Sequence, residues 1–204
     1  MRCVYHAVPS EMAGSVLVSL NDLATISADA FELQRSKYKG REAVLDARIT
    51  EDGLRFNDTV HCAPLHPHHL YCVRARMNLL PRIPAGRARP QWTPGTFFEI
   101  PLERLHGCAL YWYRWKTPWI NGYPGEDVPL SPPLEEFETF DWDRYRELTA
   151  VPPAHLAYLE QSKARGKPPL MFVHIPHVLV AGQIDTTGLR RINWQGEPRL
   201  RGHS

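Results

Sequence analysis

Long apolar runs, signal-type leaders and strong net charge are all missing from this sequence of 204 residues. No apolar run is long enough to cross a membrane, and the opening residues MRCVYHAVPSEMAG lack the apolar centre of a secretory signal peptide. These absences predict a cytoplasmic protein with no membrane partner. The formal net charge at pH 7 is only +2, so no strong positive field marks the chain as a whole for nucleic acid.

The sequence also lacks the motifs of common catalytic and metal sites. It has no C-x-x-C pair of the kind that zinc sites use, no G-x-S-x-G nucleophile turn and no glycine-rich phosphate loop of familiar spacing. Each of the cysteines lies inside an apolar run, which predicts buried, unreactive thiols rather than a nucleophile beside a histidine. The cysteines are Cys3, Cys62, Cys72 and Cys108.

Histidine is concentrated in one stretch, HCAPLHPHHLYC, at residues 61–72. One interpretation is a metal-dependent nuclease or hydrolase, with Asp58 close by in the sequence but no acidic cluster of metal-ligand spacing. The other is a strand, a proline-rich corner and a second strand, with the cysteines in the core and the histidines partly exposed. The residues concerned are His61, Cys62, His66, His68, His69 and Cys72.

The mixture of strand-like and helix-like segments predicts one α+β domain over residues 1–194, followed by a basic tail at 195–204. SLNDLATISADAFELQRSKY has helical spacing, in one helix or two short ones, and DWDRYRELTAVPPAHLAYLEQSKARG is mostly helical with a break at Pro152 and Pro153. REAVLDARI fits a helix or a strand. The predicted strands are RCVYHAV, RFNDTVHCAPL, HHLYCVRARM, TFFEIPLERL, CALYWYRW, PLMFVHIPHVLVAGQI and LRRINW.

Six short motifs follow one another along the chain: YH near the start, then KGREAVLDARI, NDTVHCAPLHPHHLY, FDWDRY, HVLVAGQI and LRRINW. Their order resembles that of the DarT-type ADP-ribosyltransferase toxins, which transfer ADP-ribose from NAD to DNA bases. In that family a histidine strand opens the fold, an arginine follows the first helical region, and a late strand carries the catalytic glutamate. The resemblance implies an ADP-ribosyltransferase-like fold with a mixed, mostly antiparallel split sheet and flanking helices.

The same resemblance implies roles for particular residues. His6, with Tyr5 beside it, would bind the adenosine ribose of NAD. Arg41 would hold the cofactor phosphates with its planar fork and act in catalysis, and Arg48 is the alternative. His177 stands where the family has its glutamate. The aromatic residues near 111–115 and Tyr71 are expected in the core rather than on nicotinamide.

The exchange of glutamate for His177 leaves two outcomes open. A carboxylate stabilises the positive charge that develops when the glycosidic bond breaks, whereas a neutral histidine can only accept a hydrogen bond or act as a base. Either His177 supports modified transfer chemistry, or the fold has become a non-catalytic module that binds a nucleotide or nucleic acid.

Arginines in the loop RIPAGRARP suit a DNA or RNA acceptor, because guanidinium groups pair with backbone phosphates. These residues are Arg82, Arg87 and Arg89, and a solvated basic loop is the alternative interpretation. The resemblance further implies a toxin–antitoxin setting with an antitoxin or immunity partner.

Overall fold

The computed structural model describes residues 2–12, 14–39, 42–80, 95–116 and 131–198. Within these ranges the chain contains both strands and helices, so the predicted α+β class is confirmed. The strands are β1 (Cys3–Ala7), β2 (Val16–Leu17), β3 (Thr59–Cys62), β4 (Thr96–Pro101), β5 (Ala109–Tyr113), β6 (Phe137–Thr139), β7 (His177–Ala181), β8 (Ile184–Asp185) and β9 (Arg190–Asn193). The α-helices are α1 (Leu20–Ile26), α2 (Ala28–Arg35), α3 (Pro67–Arg76) and α4 (Pro153–Ala164).

The strands form antiparallel sheets that meet at one end. One sheet has the order β1-β4-β9, a second has the order β3-β7-β5-β6, and β2 pairs with β8. A bridge between Tyr5 and Ala63 connects the two larger sheets, with backbone hydrogen bonds of 2.8 Å in both directions. The middle of β1 therefore lies beside the residue that follows β3, although the two strands belong to different sheets.

The first helical segment consists of two short helices because a serine separates them. Ser27 has an extended backbone, with φ of −152° and ψ of 107°, and ends α1. Its hydroxyl accepts a hydrogen bond from the backbone of Ala30 and so caps the start of α2. Ser19 caps α1 in the same way through the backbone of Asp22.

The four-stranded sheet buries side chains on both of its faces, with β7 at its centre. Val178 and Val180 belong to one apolar cluster and Leu179 to the other, as the alternation along a strand requires. The same alternation puts His177 and Leu179 on one face, together with His61 of β3, which pairs with Leu179. This face also carries Tyr113, the cross-strand partner of His177.

Three of the expected elements differ in the structure. HHLYCVRARM is not a strand but most of α3: Pro67 supplies a helical φ at the first position, and His66 caps the helix by accepting a hydrogen bond from the backbone of His68 at 3.2 Å. Residues 141–150 form no helix, and α4 begins only at Pro153. Residues 170–176 are not part of β7, and His174 has a φ of +58°, so it does not alternate with His177 along a regular strand.

Candidate functional site

A cavity of about 560 Å³ lies where β1 and β3 meet the first two helices. This volume falls within the range of small-molecule sites, roughly 300–1,000 Å³. Its wall is largely apolar and aromatic, with contributions from Leu17, Leu20, Leu45, Phe56, Trp115 and Phe172. Three histidines interrupt the apolar wall, and we call His6, His61 and His177 the cavity histidines.

Each cavity histidine comes from a different strand. His6 is the fourth residue of β1, and it points away from the core that the neighbouring Tyr5 enters. His61 lies in β3, and His177 begins β7. Because β3 and β7 pair, the ring centroids of His61 and His177 are 6.3 Å apart.

A backbone carbonyl fixes the tautomer of every cavity histidine. His6 donates through Nδ1 to Ala7 O at 2.6 Å, and His177 donates through Nδ1 to Ile175 O at 2.7 Å. His61 donates through Nε2 to Phe56 O at 2.8 Å. Because a carbonyl oxygen only accepts hydrogen bonds, the bonded nitrogen carries the proton and the second ring nitrogen keeps a lone pair.

Burial keeps the cavity histidines neutral. Desolvation, the largest cause, lowers the pKa of His6 to about 4, that of His61 to about 4 and that of His177 to about 3. The neighbouring His61 lowers the pKa of both His6 and His177 further, because two protonated rings would repel each other. At neutral pH the site therefore presents uncharged imidazoles whose second nitrogens are hydrogen-bond acceptors.

Charged side chains are sparse in the described part of the cavity wall, where only Glu11 and Lys37 carry charge. Lys37 follows α2 and its ammonium donates to the side chain of Gln34. Burial lowers the pKa of Lys37, and its positive charge in turn lowers the pKa of His6. Positive charge is therefore available beside His6 rather than beside His177.

Aromatic rings surround His177. Trp115 lies with its ring centroid 5.4 Å from that of His177, and Tyr113 stacks on Trp115 at 5.1 Å with the planes 27° apart. Tyr113 is fully buried, as expected for the core, whereas Trp115 both belongs to the core and borders the cavity. The sequence pattern predicted a core position for this aromatic run, and the position of Trp115 in the cavity wall is seen only in the structure.

The structure brings together two of the residues that the sequence analysis selected, His6 and His177. Tyr5 borders the cavity, but its side chain is 1% exposed, and its hydroxyl donates to Glu147 Oε2 at 3.1 Å. Arg48 is exposed, forms a backbone bridge with Arg55 and is not among the residues that line the cavity. The remaining predicted site residues, Arg41, Arg82, Arg87 and Arg89, lie outside the described residues.

His61 belongs to the site but was considered only as a metal ligand or a strand residue. The signal that identifies it is alternation along TVHC, in which Val60 and Cys62 face one cluster and His61 the other side. That pattern gives a cavity position only once β3 is known to pair with β7, and this pairing is remote in sequence.

The histidine-rich stretch at residues 61–72 does not form a metal site. His66 caps α3, and His68 Nε2 lies 3.2 Å from Cys72 Sγ one helical turn away. Across the described ranges no group of three or more histidine, cysteine, aspartate or glutamate side chains is placed to hold a metal ion. The geometry therefore counts against the metal-dependent nuclease or hydrolase.

The cysteines divide by exposure. Cys3 and Cys62 are fully buried, and burial raises the pKa of the Cys62 thiol, as expected for inert core residues. The prediction of burial is wrong for Cys72 and Cys108, which are partly exposed.

Compared with known proteins, the chain matches no family model, no curated protein and no solved structure. Among the described residues no helix is both long and apolar enough to span a membrane. The cavity and its histidines are therefore the features from which a function can be inferred.

Proposed function

We propose that the cavity binds NAD and that the protein is an ADP-ribosyltransferase-like enzyme on the corresponding split-sheet fold. Its acceptor is a nucleic acid, with a protein as the alternative, and an antitoxin or immunity protein is the regulatory partner that such a toxin would need. The supporting observation is that His6 and His177, assigned by motif order at opposite ends of the chain, line the same cavity. The two larger sheets joined between Tyr5 and Ala63 also agree with a split sheet.

The chemistry of the cavity suits the two riboses of NAD. The lone pair on His6 Nε2 accepts a hydrogen bond from a hydroxyl of the adenosine ribose, and Lys37 beside His6 offers positive charge to the diphosphate. His177 Nε2 accepts a hydrogen bond from the nicotinamide ribose. Trp115, next to His177, offers an aromatic surface for the planar nicotinamide ring.

In the proposed transfer, the bond between nicotinamide and C1′ of its ribose breaks, and nicotinamide leaves with the bonding electrons. An acceptor oxygen or nitrogen then bonds to C1′, and its proton passes to His177 Nε2, the ring nitrogen that holds the lone pair. A neutral imidazole stabilises the positive sugar less than a carboxylate does, so we expect slow turnover.

Binding without turnover is the second candidate function, and the neutral state of His177 favours it. Among the described residues of the cavity wall, the only carboxylate is Glu11, on the loop after β1. A module that recognises a nucleotide or nucleic acid needs the hydrogen bonds of the cavity histidines but no carboxylate at position 177.

A transfer assay separates the two candidates. NAD labelled in its adenylate part is incubated with the protein and with single-stranded DNA, duplex DNA, RNA or a protein extract as acceptor. We expect the wild-type protein to label an acceptor slowly, His177→Ala to lose the activity, and His177→Glu to increase it. NAD binding without transfer in wild type and in His177→Glu would support the binding module instead.

A further inference from the structure

We propose that His61 is a third ligand-contacting residue, and that the cavity histidines together select ribose hydroxyls over an acidic group. This inference rests on the proposed nucleotide ligand and specifies which part of it the histidines recognise. No role for His61 in binding follows from the motif order along the chain.

Two contacts with Phe56 fix the position of the His61 ring. Its ring packs against Phe56 with centroids 4.0 Å apart, and its Nε2 proton is held by the carbonyl of the same residue at 2.8 Å. His61 Nδ1 makes no hydrogen bond to any described residue, and the residue lines the cavity. The ring is therefore preorganised to accept one hydrogen bond from a ligand.

His61 lies close enough to both other cavity histidines to act with them. Its ring centroid is 6.3 Å from that of His177, and electrostatic repulsion from His61 lowers the pKa of both His6 and His177. A ligand group that contacts His177 therefore also lies near His61.

The fixed tautomers determine what the cavity histidines recognise. All three offer acceptors and none offers a donor, because every ring proton is already bonded to a backbone carbonyl. Phosphate and carboxylate oxygens are acceptors as well. An acidic group placed against the cavity histidines would therefore leave its own oxygens and the histidine nitrogens without hydrogen-bond donors. A ribose diol provides two donors in adjacent positions, and the phosphates of the same ligand fit near Lys37 instead.

The test is calorimetric binding of NAD and of four NAD analogues, each lacking one ribose hydroxyl, to wild type and to His61→Ala. We expect His61→Ala to bind NAD about tenfold more weakly, as one lost hydrogen bond predicts. For the wild type, one of the analogues should have an affinity about tenfold lower than that of NAD. For His61→Ala, that same analogue and NAD should have equal affinities. This non-additivity identifies the hydroxyl that His61 contacts.

His106→Ala is the matched control, because His106 is exposed and packs on Trp142 outside the cavity. It should bind every ligand as the wild type does. Equal NAD binding by wild type and His61→Ala, or losses that add for all four analogues, would overturn the role of His61 and leave the proposed function standing. Failure of the wild type to bind NAD would overturn both.

A second test uses only the wild type, so its result does not depend on whether His61→Ala folds. Long-range proton–nitrogen spectra of the histidine rings should report a proton on Nε2 of His61 and on Nδ1 of His6 and His177. Saturation with NAD should shift the unprotonated Nδ1 of His61. An unshifted Nδ1 in NAD-bound protein would refute the contact.

Discussion

The cavity histidines and the histidines at the start of α3 are the same residue type in opposite situations. His66, His68 and His69 are close in sequence and make local contacts, a helix cap and a thiol one turn away, although His66 also packs against Tyr5 of β1. The cavity histidines come from three strands that are far apart in the chain, yet they share one cavity. Proximity in the sequence thus identifies a helix start here, and pairing between distant strands forms the candidate site.

Burial lowers histidine pKa values in both groups, but the surroundings of the rings differ. Each cavity histidine is held neutral, with a pKa of about 4 or below, and has a carbonyl-bound proton. In the α3 group, burial and the neighbouring His68 lower the pKa of His69, and this residue lies in the first turn of a helix rather than in the cavity wall. Of the two groups, only the cavity histidines combine a carbonyl-bound ring proton with a position in the cavity wall.

The largest expected difference between the cavity histidines and the α3 histidines is their effect on the free energy of unfolding at acid pH. In the unfolded chain a histidine binds a proton below about pH 6.5, whereas folded His177 does so only near pH 3. The unfolded state binds more protons in between, so stability falls as the pH drops from 6.5 towards 4. The slope is at most about 1.4 kcal/mol per pH unit for each such histidine, and less where water reaches the ring.

Urea unfolding at pH 7, 6 and 5 measures this effect, to which the fully buried His155, with a pKa of about 4, also contributes. His177→Gln cannot be protonated, so this variant should lose less stability on acidification than the wild type. His69→Gln is the matched α3 variant and should change the slope less. An equal change in both variants would remove the electrostatic distinction between the groups.

The cysteines within residues 61–72 give the next largest effect. Cys62 is fully buried in the sheet, so Cys62→Ser places a hydroxyl without a partner in an apolar cluster and should cost about 1–3 kcal/mol. Cys72 is partly exposed on α3, and Cys72→Ser should change stability by less than about 0.5 kcal/mol. Urea unfolding of both variants measures the difference.

Thiol labelling of the native protein provides an independent check on the cysteines. Cys72 should react with a maleimide well before Cys3 and Cys62, which are fully buried. Labelling of Cys62 as fast as Cys72 would contradict the description of β3 as a core strand.

The smallest effect concerns the cap of α3. His66→Ala removes the acceptor of the hydrogen bond from the backbone of His68, and its contact with Tyr5, so we expect a loss of about 1 kcal/mol. His66→Asn keeps a capping acceptor and should lose less. Thermal unfolding of the pair measures this, and neither change should alter NAD affinity. A loss of affinity would connect α3 to the site.

Local patterns predicted much of the fold. The apolar spacing around α1 and α2 and the β-prone residues of β1, β4, β5 and β9 were sufficient to place those elements. The β-prone residues Tyr71, Cys72 and Val73 suggested a strand within α3, because a capping histidine before a proline is a weak helix signal. In that case tertiary packing of Leu70 and Val73 outweighs local propensity.

The site was less accessible to sequence reasoning. His6 and His177 came from motif order, whereas His61 depends on the register between β3 and β7, which no local pattern encodes. Arg48 was chosen by its sequence position after the first helical region, but its backbone forms a bridge with Arg55 and its side chain does not line the cavity. Long-range pairing decides which side chains share a cavity, so only the structure could assemble the set.

NAD binding measured by calorimetry decides whether the cavity histidines form a nucleotide site, with wild type, His6→Ala, His177→Ala and His68→Ala measured side by side. We expect the wild type to bind, the two cavity variants to bind about tenfold or more weakly, and the α3 variant to bind like the wild type. Absence of binding by the folded wild type, or an equal loss in His68→Ala, would contradict the proposed nucleotide site.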